Sequence, residues 1–118
     1  MTQRADLRGE LAELLKSPHI GQIFVSQTRP GITRGNHYHD TKVEKFVVME
    51  GDAVIRFRHI LGGDVIEYPV SGREFRVVDI PPGYTHSIEN VGQNDLIVLF
   101  WAAEIFNPDI PDAFGMMV

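Results

Sequence analysis

The stretch Gly35–Gly51, GNHYHDTKVEKFVVMEG, sets two histidines one residue apart and a glutamate five residues after the second. Alternation along a β-strand sends His37 and His39 to one face and Tyr38 to the other. Asp40–Val43 reads as a turn into a second strand, from which Glu44 can face back toward the histidines. Phe46 and Val48 share the face of Glu44, so that face has the character of a barrel interior. Imidazole nitrogens plus a carboxylate suit a borderline divalent metal such as Zn, Fe, Mn, Ni or Cu. An H-x-H pair taken alone is also compatible with exposed or hydrogen-bonded histidines.

A second element shifts the balance. PPGYTHSIEN, Pro81–Asn90, offers a tight turn and then His86 near the start of another strand. An inward side chain there, at the rim of a barrel, would complete a site of three histidines and one carboxylate. His19 and His59 lack such a context and read as ordinary surface or strand histidines.

Around these elements the chain is punctuated by Pro30-Gly31, Gly51, Gly62-Gly63, Gly72, Pro82-Gly83, Gly92 and Pro108. Between them lie short runs rich in Val, Ile, Phe and Tyr, the pattern of an all-β sandwich or barrel. The 118 residues, 43% apolar and 23% charged, suit a single domain, 1–118, with a real core. With no cysteine, neither a disulfide framework nor a thiolate metal site is available. A formal charge of −5 without a basic block speaks against nucleic acid as the partner. The N-terminal stretch carries charges throughout and does not read as a secretory signal. The longest apolar run, Leu96–Ala103, is too short to span a bilayer, so a cytoplasmic protein away from the membrane is expected. LIVLFWAAEIF, Leu96–Phe106, is apolar on both faces and reads as a central or interface strand. One segment conflicts with an all-β reading: GELAELLK has Leu11, Leu14 and Leu15 at helical spacing among strong helix formers.

The two histidine elements resemble the motifs of the cupins. The first cupin motif, G-x5-H-x-H-x4-E-x6-G, is matched by Gly31, His37, His39, Glu44 and Gly51. The second, P-x-G-x2-H-x3-N, is matched by Pro81, Gly83, His86 and Asn90, with Phe75 where the motif usually has a glycine. The resemblance implies a double-stranded β-helix, the jelly-roll barrel, with His37, His39, Glu44 and His86 as metal ligands. Nearly the whole chain also looks like the C-terminal cupin domain of bifunctional capsular-polysaccharide enzymes. In that family a short-chain reductase precedes a zinc-dependent cupin, which epimerises C3 of a UDP-4-keto-6-deoxy-2-acetamido sugar. The resemblance implies a divalent metal, zinc first with Fe, Mn or Ni as alternatives, a homodimer, and a separate reductase as a possible partner. The chain itself has no room for that reductase, and is a free-standing relative or one domain of a longer protein. It also implies that RGELAELL, Arg8–Leu15, is a strand, against its local propensity.

The related dTDP-4-dehydrorhamnose 3,5-epimerases carry R-G-x-H-x-Q where this chain has Arg34-Gly35-Asn36-His37-Tyr38-His39. There the histidine matching His37 is the catalytic base; with His39 in place of glutamine the base becomes a metal ligand, so that role does not carry over. Epimerisation beside a ketone removes a weakly acidic proton, and a divalent metal on the carbonyl oxygen stabilises the enolate as a Lewis acid. Tyr84, Lys42 and a metal-bound hydroxide are the candidate proton carriers; the alternative for Tyr84 is a cap on its turn, and for Lys42 a solvated loop charge. For the diphosphate of a nucleotide sugar the candidates are Arg34, Arg56 and Arg58. Arg34 stands where the 3,5-epimerase pattern contacts nucleotide, whereas Arg56 and Arg58 share a strand face with Val54 that is commonly a solvated outer face. Two other functions use the same ligands: an iron-dependent cupin dioxygenase, and a non-catalytic cupin that binds a sugar and a structural metal.

Overall fold

The computed structural model describes residues 3–6, 9–17, 21–39, 43–102, 113–115 and 118. Among the described residues the regular structure is all strand. β1 (Gln3–Asp6), β2 (Gly9–Ser17), β3 (Gly21–Thr28) and β4 (Thr33–His39) are followed by β5 (Glu44–Glu50), β6 (Asp52–His59) and β7 (Ile66–Ser71). β8 (Val78–Ile80), β9 (Tyr84–Asn90), β10 (Leu96–Ala102) and β11 (Ala113–Gly115) complete the order. They form two antiparallel sheets, β1-β2-β3-β10-β5-β8 and β11-β4-β9-β6-β7.

Both sheets contribute to one core. Phe46, Val48, Val78, Ile80, Leu96 and Val98 from the first sheet pack with Ala53, Ile55, Val70 and Ile88 from the second. Burying such side chains is the main favourable term in folding a chain of this size, about 1.5–3 kcal/mol for each large aliphatic residue. The chain crosses between the sheets at Gly51, the single residue between β5 and β6. Its φ of 99° and the 3.1 Å at which a Cβ would meet the Asp95 carbonyl oxygen both require glycine.

GELAELLK lies in β2, a strand as the family resemblance implies and not the helix its composition favours. It pairs with β1 on one side and β3 on the other, so the tertiary ladder outweighs the small differences in intrinsic propensity. A register shift between Glu13 and Leu15 breaks strict alternation, which explains why Leu11, Leu14 and Leu15 show no two-residue period. β10 is central, hydrogen-bonded to β3 and β5, and Phe100 on it faces inward against Phe24 and Phe46.

Candidate metal centre

The geometry of the site starts from a bulge in β4. Arg34 pairs with Ile88 and Gly35 with Ser87, but the next partner pair is His37 with His86. Asn36 is the extra residue, at φ 59°, beside Gly35 at φ 105°. Three positions separate Arg34 from His37, and on a regular strand they would face opposite ways. The bulge restores them to one side, that of Ile88 and His86, the barrel interior. Gly35 is indispensable to the approach: a Cβ on it would lie 2.7 Å from the His86 carbonyl oxygen and 3.0 Å from Ser87 Cα.

Three of the sequence-assigned ligands meet there. His37 comes from β4, Glu44 from the first residue of β5 and His86 from β9, and their ligand atoms lie within 4.8 Å of one another. The His37 and His86 rings meet edge to face at 4.6 Å. His86, 2% exposed, places Nε2 3.9 Å from Glu44 Oε2, too far for a hydrogen bond and close enough for both to reach one ion. Phe46 stands behind His86 at 5.7 Å, with Phe100 and then Phe24 stacked beyond it, so the floor of the pocket is aromatic and apolar. Two imidazoles and a carboxylate in such surroundings fit a borderline divalent cation. His39 lies two residues past His37 on β4; its side chain falls outside the described part, as does Lys42.

The remaining sequence-assigned residues separate by face. Arg34 faces inward, and its Nε donates to the buried Thr28 Oγ1 at 2.7 Å while Nη2 donates to the Gln27 carbonyl at 3.4 Å. Tyr84 precedes His86 by one strand period and packs edge to face on Phe57 and His59, at 6.0 and 5.1 Å. Arg56 and Arg58 alternate with Ile55 and Phe57, which face the core, and so stand on the other side of the sheet from His86. Arg56 donates to Glu89 at 2.7 Å and to Glu67 at 3.2 Å. The bond to Glu89 above all raises the pKa of its guanidinium over the ordinary arginine value.

Two residues gain significance from the structure. Asn90, the last residue of the second motif, is 1% exposed and stands four residues beyond His86, at the end of β9. Its Nδ2 donates to the carbonyls of Thr28 and Asn94, each at 2.9 Å, and its Oδ1 accepts from the Gly92 N–H at 3.0 Å. His59, set aside in the sequence, lies opposite Tyr84 on the interior side of β6. The signal for it was the two-residue period Ile55, Phe57, His59, which alternation carries into the pocket.

Comparison with known proteins agrees with this architecture. The family model for the polysaccharide biosynthesis C-terminal domain matches residues 4–114. A UDP-2-acetamido-2,6-beta-L-arabino-hexul-4-ose reductase of Pseudomonas aeruginosa is 42% identical over 97% of this chain and 31% of its own length. The crystal structure of the capsular polysaccharide assembling protein CapF from Staphylococcus aureus superposes with a TM-score of 0.96 at 49% identity, covering 99% of this chain and 32% of CapF. The chain thus spans about a third of the length of these relatives. The dTDP-6-deoxy-D-glucose-3,5-epimerase RmlC from Legionella pneumophila, in complex with dTDP-4-keto-L-rhamnose, matches 84% of this chain and 55% of its own at 21% identity, with a TM-score of 0.70, a likeness of fold. With its motifs, its two-sheet barrel and these matches, the chain is a cupin of the polysaccharide biosynthesis C-terminal domain family.

Proposed function

We propose that this cupin is a metal-dependent epimerase acting beside the ketone of a nucleotide-linked 4-keto-6-deoxy sugar in surface polysaccharide biosynthesis. The observation that carries the reading is the convergence of His37, Glu44 and His86 on one point of the barrel interior. Membership of a polysaccharide biosynthesis family supports the substrate class, as does likeness to a reductase of UDP-acetamido sugars. His37, His39, Glu44 and His86 would hold the ion, zinc first. A divalent cation so held supplies Lewis acidity to a carbonyl oxygen and lowers the cost of removing the adjacent proton.

The chain's own groups supply the rest. The apolar floor of Phe46 and Phe100 limits water around the reacting carbon, which strengthens electrostatic interactions there. Tyr84, one strand period from His86, is assigned the transfer of a proton between phenol oxygen and substrate carbon, and Lys42 is the second candidate for that transfer. Arg34 is a cation on the interior side and is assigned to the diphosphate. Arg56 and Arg58, on the far side of the sheet, would need a substrate that reaches round its edge. In this reading the protein works as a cytoplasmic homodimer, and a reductase acts on the ketone after epimerisation.

The test is hydrogen exchange at C3. The metal-loaded protein is incubated with a UDP-4-keto-6-deoxy-N-acetyl sugar in D2O, and the H3 signal is followed by NMR. Protein-dependent loss of the signal is expected. Since even outer partners of metal ligands are worth roughly 10–100-fold, His37→Ala should slow exchange by about 100-fold or more and lower the bound metal measured by elemental analysis. Intact metal and ligand binding without exchange above the protein-free control would reject epimerisation of this substrate and favour a binding role.

A further inference from the structure

We infer that His59 is a substrate-binding residue of this pocket, donating a hydrogen bond through Nε2 to an oxygen of the bound sugar nucleotide. The inference rests on the sugar-nucleotide reading above and adds a residue to it. Its first ground is register. β6 pairs with β9 without interruption, Ile55 opposite Ile88, Phe57 opposite His86 and His59 opposite Tyr84. Ile55 is fully buried and Phe57 packs on the core, so the same face carries His59 to the open end of the barrel.

The second ground is the wall to which His59 belongs. Tyr68 stacks on Phe57 at 6.3 Å, Phe57 meets Tyr84 edge to face, and Tyr84 meets His59 at 5.1 Å with the rings at 88°. Four rings from three strands therefore form one aromatic row, with Tyr68 at its exposed end, and Phe57 adjoins His86 in the ladder. Tyr84 and His59 stand one strand period, roughly 7 Å, from His86 and Phe57. A hexose whose ketone lies at the ligand cluster can reach both. Rings of this kind offer apolar faces to a sugar or a nucleobase, with polar groups at their edges.

The third ground is the orientation of the imidazole. The Leu61 N–H donates to His59 Nδ1 at 3.1 Å, which leaves the ring proton on Nε2. Among the described residues Nε2 has no hydrogen-bond acceptor. Gly83 lies against this edge of the ring, since a Cβ on it would stand in ordinary contact with Nε2 at 3.9 Å. A half-buried ring, fixed by a backbone bond and an aromatic contact, thus presents a directed donor beside the reaction site. Hydroxyl and phosphoryl oxygens of a sugar nucleotide are the acceptors it would meet.

The experiment measures kcat and KM for H3 exchange in wild type, H59F and H59Q, with bound metal and melting temperature for each. H59F keeps a ring against Tyr84 but has no donor. It should raise KM about 3–10-fold, the worth of one neutral hydrogen bond, at unchanged metal content, while the melting temperature reads separately the loss of the Leu61 N–H bond to Nδ1. H59Q, which restores an N–H at similar reach, should recover most of the loss. A wild-type KM in H59F would show that only packing matters and overturn the inference, as would failure of H59Q to recover a defect seen in H59F. Absence of exchange in wild type would instead reject the epimerase reading and this assignment with it.

Discussion

β9 joins two unlike interiors. At one end Tyr84 and His86 face a pocket of imidazoles, a carboxylate and aromatic edges; at the other Ile88 and Asn90 are closed in by the core. His86 and Asn90 both belong to the second cupin motif and are equally buried, yet they do opposite things. Asn90 exhausts its amide on neighbouring backbone, whereas His86 turns Nε2 toward Glu44 at a distance longer than a hydrogen bond. A motif can therefore mix residues that build the barrel with residues that equip it. The difference is read from where each polar atom is directed.

The largest effect expected from breaking this comparison is on the closed end. Asn90→Ala deletes three hydrogen bonds at once and deprives the Thr28 and Asn94 carbonyls and the Gly92 N–H of their shared partner. Each buried group left short costs about 1–3 kcal/mol, offset where water can enter, so a net loss of about 3 kcal/mol is expected. Thermal unfolding should show a melting temperature lower by roughly 10 °C. Metal bound per folded chain should not change. A loss of metal without loss of stability would place Asn90 with the equipment rather than the frame.

The middle effect lies at the junction of the two, and it marks what the sequence alone could show. The convergence of His37, Glu44 and His86 was legible because residues that could share one ion must come from fixed points on alternating strands, whereas the His39 side chain lies outside the described residues. The bulge was not, because Arg34-Gly35-Asn36 contains nothing that separates an inserted residue from a regular one until the register with β9 is known. His59 escaped for a related reason: its neighbour Tyr84 lies across the sheet, 25 positions on, and only pairing reveals it. The strand at GELAELLK was legible through the family resemblance and not through propensity, since local preferences are weak beside two ladders. Gly35 tests the bulge directly. Gly35→Ala puts a methyl 2.7 Å from the His86 carbonyl at φ 105°, so β4 must move from β9 beside a ligand. A stability loss of about 1–3 kcal/mol is expected from the strained backbone. Zinc affinity, followed by competition with a chelating dye, should weaken about 10-fold as the ligands separate. Reduced stability with unaltered affinity would mean that the cluster does not depend on the approach of these two strands.

The smallest effect belongs to the outer side of the same sheet, and it sharpens the assignment of phosphate contacts. Arg34 and Arg56 are both arginines that suit a diphosphate by type, but Arg34 shares the side of His86 while Arg56 is bound to Glu67 and Glu89 on the opposite one. A phosphate approaching Arg56 would have to displace two carboxylates that already satisfy part of its guanidinium. Its ion pairs are partly exposed, with side-chain exposures of 31% for Arg56 and 59% for Glu67, so solvent screens them. Arg56→Gln is therefore expected to change stability by less than about 1 kcal/mol and to leave KM for the nucleotide sugar as in wild type. A several-fold rise in KM with normal melting would return Arg56 to the substrate clamp. It would then follow that the nucleotide runs over the rim of the barrel, and that the two sides of this sheet are less separate than their side chains make them.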